Sequence, residues 1–555
     1  MWHNTRKRNL FVFILLWVVL FILYLPAAKA GMVGDYPGWA YQLKRLSFLD
    51  YINRSWSQIK GLYQFTQTAT YCFFYLFGNN VWLWHLLNIS MQAINSYLLF
   101  ILFFNLFRDS KISNAFEIAL SGTVLYTVCP LLTEVIVWEP AYHYLQGFLI
   151  MLTLFYFLQK FQHDPKNRYA WVAGIIFFAS TFTLEIFYIT PWLCLVIILF
   201  YRYALQYDKG IFKKSLFRFF LPQILMLIFY FILVNLLYKG FSIAHLANNV
   251  YQPISTYLTK PAKYIFHIVF FGRLFPFEVR NKIYELCNSK ISIFSSTGVL
   301  LLICTYIMLR FRHMPIKGKI LSMVFVCTMI NLAIILPMWF PQLLLVIYDR
   351  YTYFINGFVF MMIALLVSYI PNKIFRITLV SVYAIISIYC TSKLNTYWRQ
   401  SAAIVNNLLT NFPDPGNKIV IALSIPECLK GVQMIGTREE GELKMIHNIL
   451  RSKQINNTVY DGMSFNMLTP DDGTHVTVLN DSVVRVTLNQ WGTWWWYGGL
   501  GGTSYKNTDY SLDMRDQGHM YELTLKKPAA AYLLLYQAGK DWHIVDWNKK
   551  NVEQY

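Results

Sequence analysis

Long apolar runs separated by polar connections dominate the first 391 residues of the chain. At roughly 16 to 27 residues, each run is long enough to cross a hydrocarbon core of about 30 Å as a helix. The pattern therefore predicts a polytopic α-helical membrane protein with about eleven transmembrane helices. They are predicted at residues 10–27, 81–107, 115–130, 141–159, 169–184, 187–204, 218–238, 292–309, 320–338, 351–370 and 374–391.

Two of the connections are long enough to form structure of their own. Residues 31–80 contain two aromatic-rich stretches with helical periodicity, around 39–51 and 54–74, which predict amphipathic helices at the membrane interface. Residues 239–290 contain one short apolar piece, 264–271, which is too short to span and is predicted to be interfacial or re-entrant.

Beyond residue 391 the long apolar runs give way to alternating patterns. Alternation with a period of two predicts strands, and a helical period predicts one helix. We therefore divide the chain into a transmembrane domain, residues 1–391, and a soluble α/β domain, residues 392–555. The strands are predicted at 418–425, 475–487 and 520–535, and the helix at 439–452.

Composition supports the membrane class, because 56% of the residues are hydrophobic and only 14% are charged. The formal charge of +20 would suit a nucleic acid, but the basic residues cluster in alternate connections, as cytoplasmic loops do. We therefore expect no nucleic-acid partner, a cytoplasmic N-terminus and an outer, periplasmic C-terminal domain. The compact loops favour a bacterial inner membrane.

The N-terminus also imitates a secretory signal, with Arg6-Lys7-Arg8 before an apolar run and Ala28-Lys29-Ala30 after it. The run is long for a signal core, which favours a first transmembrane helix. The eight cysteines mostly fall inside predicted spans without paired spacing, so neither a disulfide framework nor a zinc site is predicted.

Ionisable residues gather at the outer ends of the predicted spans. A charge beside the bilayer is costly and usually functional, so we expect these residues to line one outward-facing cavity. A transporter would rather place charges near mid-membrane, on the broken helices of inverted repeats, and the sequence has no such repeat. The residues are Asp35, Glu134, Glu139, His143, Glu185, Arg273, Asp349 and Arg350.

A site at the outer surface suits a substrate that is half lipid and half polar, such as a sugar on a polyprenyl phosphate. Transfer to a hydroxyl needs a carboxylate base, for which Asp35, in Gly34-Asp35-Tyr36-Pro37-Gly38-Trp39, is the candidate. The departing phosphate needs cations. Candidates are Arg350, Arg273, Lys44 and Arg45.

Each assignment has an alternative. Asp35 could cap the next helix, and Glu134 and Glu139 could be solvated loop residues. Arg350 could pair with Asp349 beside it in the chain. Lys44 and Arg45 could bind the headgroups of membrane lipids instead of one phosphate.

Several motifs, in order, resemble the GT-C membrane glycosyltransferases, with the closest likeness to the branch related to protein O-mannosyltransferases. The first covers residues 63–80 and continues into His85-Leu86-Leu87-Asn88-Ile89 and residues 92–99. Later pieces are Thr133-Glu134-Val135-Ile136-Val137-Trp138, Leu184-Glu185 with Pro191, Asp349-Arg350-Tyr351-Thr352-Tyr353 and Trp398-Arg399. Together they lie between residues 63 and 399 of the chain.

The resemblance implies a GT-C fold and a transferase that uses a lipid-phosphate-linked sugar, with Asp35 as its base. It implies that Glu134 lines the pocket and that Arg350 and Tyr351 lie near the lipid phosphate. Two departures are visible: Tyr36 stands where many relatives have a second acidic residue, and Gln64-Phe65 replaces Arg-Pro. The donor could therefore differ from the lipid-phosphate-linked mannose that this branch of the family uses.

The leading prediction is an inverting glycosyltransferase with a polyprenyl-phosphate sugar donor and a glycan, lipid or protein acceptor. The pocket would be lined by Glu134, Glu139, His143, Glu185 and Tyr351. An oligosaccharyl transferase or glycan ligase with a lipid-pyrophosphate donor stays open, as does a lipid or polysaccharide transporter or a non-catalytic scaffold. No metal ligand is assigned, although a divalent metal could be bound. Residues 491–502, rich in Trp and Gly, could stack on sugars or pack in a core.

Overall fold

In the computed structural model, long apolar helices fill the first part of the chain and two β-sheets follow. The structure describes residues 5–28, 30, 33–34, 36–58, 64–238, 254–336, 346–435, 441–451, 453–490, 492–496 and 504–554. In the transmembrane part the α-helices are α1 (Thr5–Tyr24), α2 (Tyr36–Arg45), α3 (Phe48–Gln58), α4 (Gln64–Phe77), α5 (Val81–Asp109), α6 (Ala115–Thr127), α7 (Thr133–Val137), α8 (Tyr142–His163), α9 (Asn167–Thr181), α10 (Thr190–Tyr203), α11 (Lys209–Ser215), α12 (Leu221–Tyr238), α13 (Ile254–Val269), α14 (Phe277–Asn288), α15 (Lys290–Arg310), α16 (Ile316–Ile335), α17 (Tyr353–Val367) and α18 (Lys373–Thr410).

Eight helical segments of the described part are long and apolar enough to cross a membrane. The number is nine if α6 and the segment Pro130–Val137, which bend by 55°, count as one span. The chain is therefore an integral membrane protein. Each of the eleven predicted runs contains a helix, but α9 and α10 have only 15 and 14 residues. The count of eleven spans stays a prediction.

Helix α5 lies at the centre of the bundle, where it packs against α1, α6 and α8. Several of its polar side chains are buried and hydrogen-bonded, which a site without access to water favours. The Asn95 amide donates to the carbonyl of Leu145 (3.0 Å) and to the Tyr353 hydroxyl (3.1 Å), and that hydroxyl donates to Gln92. This network fixes α5 against α8 and α17.

Among its described residues, the connection 31–80 forms three helices, α2, α3 and α4, where the sequence predicted two. The additional break lies at Ser47, whose hydroxyl donates to the Asp50 carboxylate at 2.5 Å and accepts from the Asp50 backbone N–H at 3.2 Å. This bonding makes Ser47 the N-cap of a new helix that starts at Phe48. The helical periodicity of the sequence continues through this break because both helices are amphipathic, so the sequence did not indicate it.

The connection 239–290 contains α13, a 3₁₀ turn at Gly272–Leu274 and α14. The piece 264–271, predicted to be interfacial or re-entrant, lies mostly within α13. This helix is not among the candidate spans of the described residues. Its interfacial position stays a prediction.

The C-terminal part is built from two sheets and one helix, α19 (Glu442–Leu450). In the first sheet β1 runs parallel to β3 and β10, in the order β11-β10-β1-β3-β6, with β2 paired to β1. The second sheet has the order β12-β4-β5-β9-β8-β7. The strands are β1 (Ile419–Leu429), β2 (Val432–Gln433), β3 (Val459–Met467), β4 (His475–Asn480), β5 (Val483–Thr487), β6 (Thr493–Trp496), β7 (Tyr505–Lys506), β8 (Tyr510–Arg515), β9 (Met520–Leu525), β10 (Tyr532–Ala538), β11 (Asp541–Ile544) and β12 (Glu553–Gln554).

Two predicted strands are each two strands in the structure. Residues 475–487 form the hairpin β4–β5, and residues 520–535 divide into β9 and β10, which belong to different sheets. Pro528 and the 3₁₀ turn Ala529–Ala531 separate β9 from β10, since proline cannot continue a ladder of hydrogen bonds. Of the Trp- and Gly-rich segment 491–502, residues 493–496 form β6, and most of the rest lies outside the described residues.

Helix α18 joins the membrane part to the sheets as one helix of 38 residues. The predicted division at residue 391 falls inside it, and the two-domain division stays a prediction. Its last turn is bonded to the first sheet: the Asn407 amide donates to the Asp541 carboxylate (2.8 Å), and the Trp542 indole donates to the carbonyl of Leu408 (2.9 Å). The helix thus ends firmly against β11.

Candidate functional site

Glu134 and Arg350 form a buried ion pair at one end of the bundle. Glu134 lies in the short helix α7 and is 2% exposed. Its carboxylate accepts one hydrogen bond from the Arg350 guanidinium and a second, at 2.9 Å, from the Arg350 backbone N–H. The pair therefore fixes the backbone as well as the side chain at Arg350.

Aromatic rings enclose the Arg350 guanidinium. Its central carbon lies 5.1 Å from the ring centroid of Trp138 and 5.1 Å from that of Tyr351, within the range of cation–π attraction. Tyr351 in turn meets Tyr144 edge to face, with ring centroids 6.3 Å apart. The rings exclude water from the ion pair, which strengthens its electrostatics.

Tyr144 brings further predicted residues to this place. It interacts electrostatically with Glu134, Arg350 and Glu185, so Glu185 shares the neighbourhood of the ion pair. The His143 ring lies tilted by 41° against that of Tyr144, with centroids 4.6 Å apart, and it interacts with the charge of Arg350. The structure therefore brings together Glu134, His143, Glu185 and Arg350, from three separate parts of the chain.

Asp349 is the centre of a second buried group. Its carboxylate accepts from the Arg273 guanidinium and lies 2.8 Å from His267 Nε2. All three side chains are at most 2% exposed. Burial, together with the charges of Arg273 and Arg280, lowers the pKa of His267 to about 3. His267 is therefore neutral at neutral pH and donates its Nε2–H to Asp349.

Arg273 has unused hydrogen-bonding capacity. Among the described residues, its Nε and Nη2 atoms have no hydrogen-bond partner, although both are buried. Burial lowers the pKa of Arg273 to about 9, while the charge of Glu134 opposes this effect, so the side chain is a cation at neutral pH. Buried donors without partners cost free energy unless a ligand or water satisfies them.

We call Glu134, Asp349, Arg273, Arg280 and Arg350 the charge cluster. Arg280 is 3% exposed and donates to the carbonyl of Arg273 at 3.4 Å. Three guanidinium groups meet two carboxylates within the cluster, and Glu185 and Glu427 lie within electrostatic reach of it. A guanidinium group with unpartnered donors in such a place favours an anion.

The segment that leads to Asp35 lies against Trp138, whose ring also packs on Arg350. The Trp138 indole donates to the carbonyl of Val33 at 3.3 Å, and the Gly34 N–H donates to the carbonyl of Met434 at 2.7 Å. Gly34 has a φ of +62°, and a Cβ there would lie 2.9 Å from Trp138 Nε1. Glycine is required by both conformation and space.

Glu139 is buried close to the same segment. It is 1% exposed, and among the described residues neither carboxylate oxygen has a hydrogen-bond partner. Its Oε1 lies 3.9 Å from Nε2 of His85, a nitrogen that also lies 3.2 Å from the carbonyl of Ala30. A carboxylate so placed can accept a proton or a hydrogen bond from a bound group.

The C-terminal part closes over the charge cluster. Strand β2 packs against the 3₁₀ helix Val346–Thr352, which carries Asp349 and Arg350. Burial raises the pKa of the Cys428 thiol well above its ordinary value, and the charges of Glu427 and Glu134 raise it further, whereas Arg273 lowers it. The end of β1 thus lies within electrostatic reach of the cluster.

Lys44 and Arg45 line a different site from the charge cluster. Together with α19 they line an open groove of about 560 Å³ whose other residues include Lys444 and Asn448. The Arg45 guanidinium stacks on Tyr41, 4.2 Å from the ring centroid. Their predicted contact with a donor phosphate stays a prediction.

Asp35, predicted as the base, lies outside the described residues. The other predicted residues group into the charge cluster with its neighbours, the Glu139–His85 pair and the α2–α19 groove. Within the described part of the chain, no three His, Cys, Asp or Glu side chains are arranged to hold a metal ion.

His267, Trp138 and Cys428 complete the site and were not among the predicted site residues. A signal for His267 existed, because it and Arg273 are the ionisable residues in the apolar stretch 265–275, and an ionisable residue there is a functional candidate. Trp138 and Cys428 look like ordinary apolar positions. Nothing in their local sequence marks them.

Comparison with known proteins finds no matching family model and no matching curated protein. Solved structures that are similar to the chain include three of the oligosaccharyltransferase from Archaeoglobus fulgidus. The complex with Zn and sulfate has a TM-score of 0.34 and 14% sequence identity, over 71% of this chain and 56% of that one. The form tethered to an acceptor peptide with an NVT sequon has a TM-score of 0.33, 14% identity, and covers 74% and 58%.

The third, in complex with an inhibitory peptide and a dolichol-phosphate, has a TM-score of 0.34, 13% identity, and covers 75% and 59%. The chain thus spans a little over half the length of these proteins. Similarity at this level does not decide the fold family or the function.

Proposed function

We propose that this chain is an inverting glycosyltransferase of the GT-C type. It moves a sugar from a polyprenyl-phosphate donor to a hydroxyl of a glycan, lipid or protein acceptor. The observation that carries this proposal is the charge cluster, in which the buried Arg273 keeps two donors without partners among the described residues, near the segment that leads to Asp35.

Arg273 is the residue we assign to the donor phosphate. Its Nε and Nη2 lack partners among the described residues, while its Nη1 is bonded to Asp349. Two adjacent N–H groups of one guanidinium match two oxygens of a phosphate. His267 and Asp349 orient this guanidinium, so its charge is in place before the leaving group develops charge.

Arg350 has a different role from Arg273 in this proposal. Its guanidinium is bonded to Glu134 and enclosed by Trp138 and Tyr351. It contributes a fixed positive charge to the wall of the pocket, with Tyr351, Glu185 and His143 around it. Glu134 holds this charge in position.

Asp35 acts as the base in this proposal. The acceptor hydroxyl gives its proton to the Asp35 carboxylate as its oxygen bonds to the anomeric carbon. The bond between that carbon and the phosphate oxygen breaks, and its electron pair leaves with the lipid phosphate. A single displacement inverts the configuration at the anomeric carbon. Gly34, one residue earlier, donates its N–H to the carbonyl of Met434 and lies close to Trp138.

The orientation in the membrane is part of the proposal. Basic connections alternate with weakly charged ones, which supports a cytoplasmic N-terminus and a site on the outer side. The sheets after α18 then lie in the periplasm of a bacterium, above its inner membrane.

The test is sugar transfer by the full chain in proteoliposomes. Labelled sugars on a polyprenyl phosphate and labelled oligosaccharides on a polyprenyl pyrophosphate are offered with a mixture of glycan, lipid and peptide acceptors. Transfer from the monophosphate donor with inverted configuration is expected. Transfer only from the pyrophosphate donor would show an oligosaccharyl transferase instead, and donor binding without turnover would show a scaffold.

Asp35→Asn tests the base, with Asp50→Asn as its matched control in the same outer loop. Asp50 lies in the first turn of α3, and its carboxylate accepts from the hydroxyl of the capping Ser47, which an Asn amide oxygen can also do. Asp35→Asn should lower transfer about 100-fold or more, the usual contribution of a general base. Equal transfer by Asp35→Asn and Asp50→Asn would remove Asp35 from the mechanism.

A further inference from the structure

Helix α15 stands away from the rest of the bundle. None of its 21 residues, all of which the structure describes, is buried. Helices α10 and α16, in contrast, pack closely on each other. A groove of about 690 Å³ lies between the end of α15, the end of α10 and the beginning of α16.

The groove has apolar walls and a basic mouth. Leu199 on α10 and Met308 on α15 face it, and they are 37% and 75% exposed. Arg312, just beyond α15, and Lys319, in the first turn of α16, line it as well. A site with apolar walls and two cations at one end suits an amphiphile with a negatively charged head.

These two cations are available to a ligand. Within the described residues no carboxylate lies at ion-pair distance from Arg312 or Lys319. Other basic residues of the chain have such partners: Lys373 and Arg376 both pair with Glu117, at 3.2 and 3.6 Å. In the part of the chain that the structure describes, the positive charge at the groove is therefore not paired with a carboxylate.

The groove lies far from the charge cluster. Helix α16 begins at the groove and ends at Ile335, and the carbonyl of the next residue, Leu336, accepts from Lys260 on α13. Twenty helical residues span about 30 Å, the thickness of the hydrocarbon core. Helix α10 likewise begins just after Glu185 and ends at the groove. The groove therefore opens toward the opposite leaflet from the cluster.

We propose that this groove binds an anionic glycerophospholipid of that leaflet. Its phosphate contacts Arg312 and Lys319, and its acyl chains lie between α10, α15 and α16. Basic pockets between membrane helices on the cytoplasmic side recognise anionic headgroups in this way, and the positive-inside pattern places this end on that side. The lipid fills the space that keeps α15 apart from the bundle.

The test is native mass spectrometry of the full chain, released from vesicles of equal parts phosphatidylglycerol and phosphatidylcholine. One retained phosphatidylglycerol per chain is expected. The preference should fall as the salt concentration rises, because the headgroup contact is electrostatic. Equal retention of the two lipids would overturn the proposal, and so would displacement of the phospholipid by an equimolar polyprenyl phosphate.

A pair of variants locates the lipid. Arg312→Gln with Lys319→Gln should weaken phosphatidylglycerol retention about 10- to 30-fold, from the loss of two cations near a headgroup. Lys213→Gln with Lys214→Gln removes the same charge from exposed residues of α11 and should leave retention unchanged. An equal effect of both pairs, or none from the first, would overturn the assignment to the groove. The salt dependence of the unmodified chain needs no variant to fold.

Discussion

Arg350 donates to Glu134 from both its guanidinium and its backbone N–H, across 216 residues of sequence. The pair joins the short helix α7 to the 3₁₀ helix in front of α17. The position of Arg350 relative to α7 depends on this one pair.

Breaking the pair from either side should destabilise the protein. Glu134→Ala or Arg350→Ala leaves a buried charge without its partner, which costs about 3 to 5 kcal/mol. The double variant should cost less than the sum, with a coupling of about 1 to 3 kcal/mol. Reversible unfolding in detergent measures both. The control is Glu117→Ala, an exposed partner of Lys373, with an expected cost of about 1 kcal/mol or less. Additive costs at Glu134 and Arg350 would contradict the coupling.

Arg273→Lys should separate charge from geometry. Lysine keeps the charge that faces Asp349 but loses the paired N–H groups that we assign to the donor phosphate. Transfer should fall about 100-fold, comparable with the loss of one donor to developing charge. Stability, measured by thermal unfolding, should change little. Full activity of Arg273→Lys would assign Arg273 to structure alone.

His267 predicts an acid sensitivity of folding. Its pKa is lowered to about 3 by burial and by Arg273 and Arg280, whereas in the unfolded chain it is about 6.5. The unfolded state therefore binds the proton first, and stability falls as the pH drops below about 6.5. Between pH 7 and pH 5 this group contributes a loss of about 2 kcal/mol.

His267→Gln provides the comparison, because its amide can donate to Asp349 without titrating. Unfolding of both proteins is measured at pH 7 and pH 5. The variant should lose about 2 kcal/mol less than the original chain over this range. Equal losses would show that His267 titrates normally in the folded state.

Gly34→Ala should displace the segment before Asp35. The new Cβ would lie 2.9 Å from Trp138 Nε1, on a backbone with a φ of +62°. Transfer should fall at least about 10-fold, since a shift of about 1 Å near a reacting group can cost 100-fold. Gly78→Ala is the matched control: its φ is +53°, and nothing lies within 4 Å of its added Cβ. It should lose about 1 kcal/mol of stability and keep its activity.

The sequence predicted those features that repeat along the chain. Apolar runs located the helices, and alternation located β1, because each signal extends over many residues. The break at Ser47 and the division of β9 from β10 were missed. An N-cap serine and one proline act at single positions, and the surrounding periodicity does not reveal them.

The candidate site was predicted in part. Glu134, Arg350 and Glu185 were expected on one face, and they share the neighbourhood of Tyr144. The contact of His267 with Asp349 joins residues 82 positions apart, and no local pattern encodes it. Lys44 and Arg45 face α19 because the rotation of α2 is decided by what packs on it, which an amphipathic pattern does not specify.

Helix α18 runs without interruption from Lys373 to Thr410, so its residue count sets the direction in which the sheets face. Each helical residue turns the chain by about 100° and advances it by 1.5 Å. One residue inserted after Thr391 would swing β2 about a third of a turn away from Val346–Thr352, while the membrane helices stayed in place. Whether the C-terminal part contacts Asp349 and Arg350 thus depends on the number of residues in α18, which sets the direction in which the sheets face.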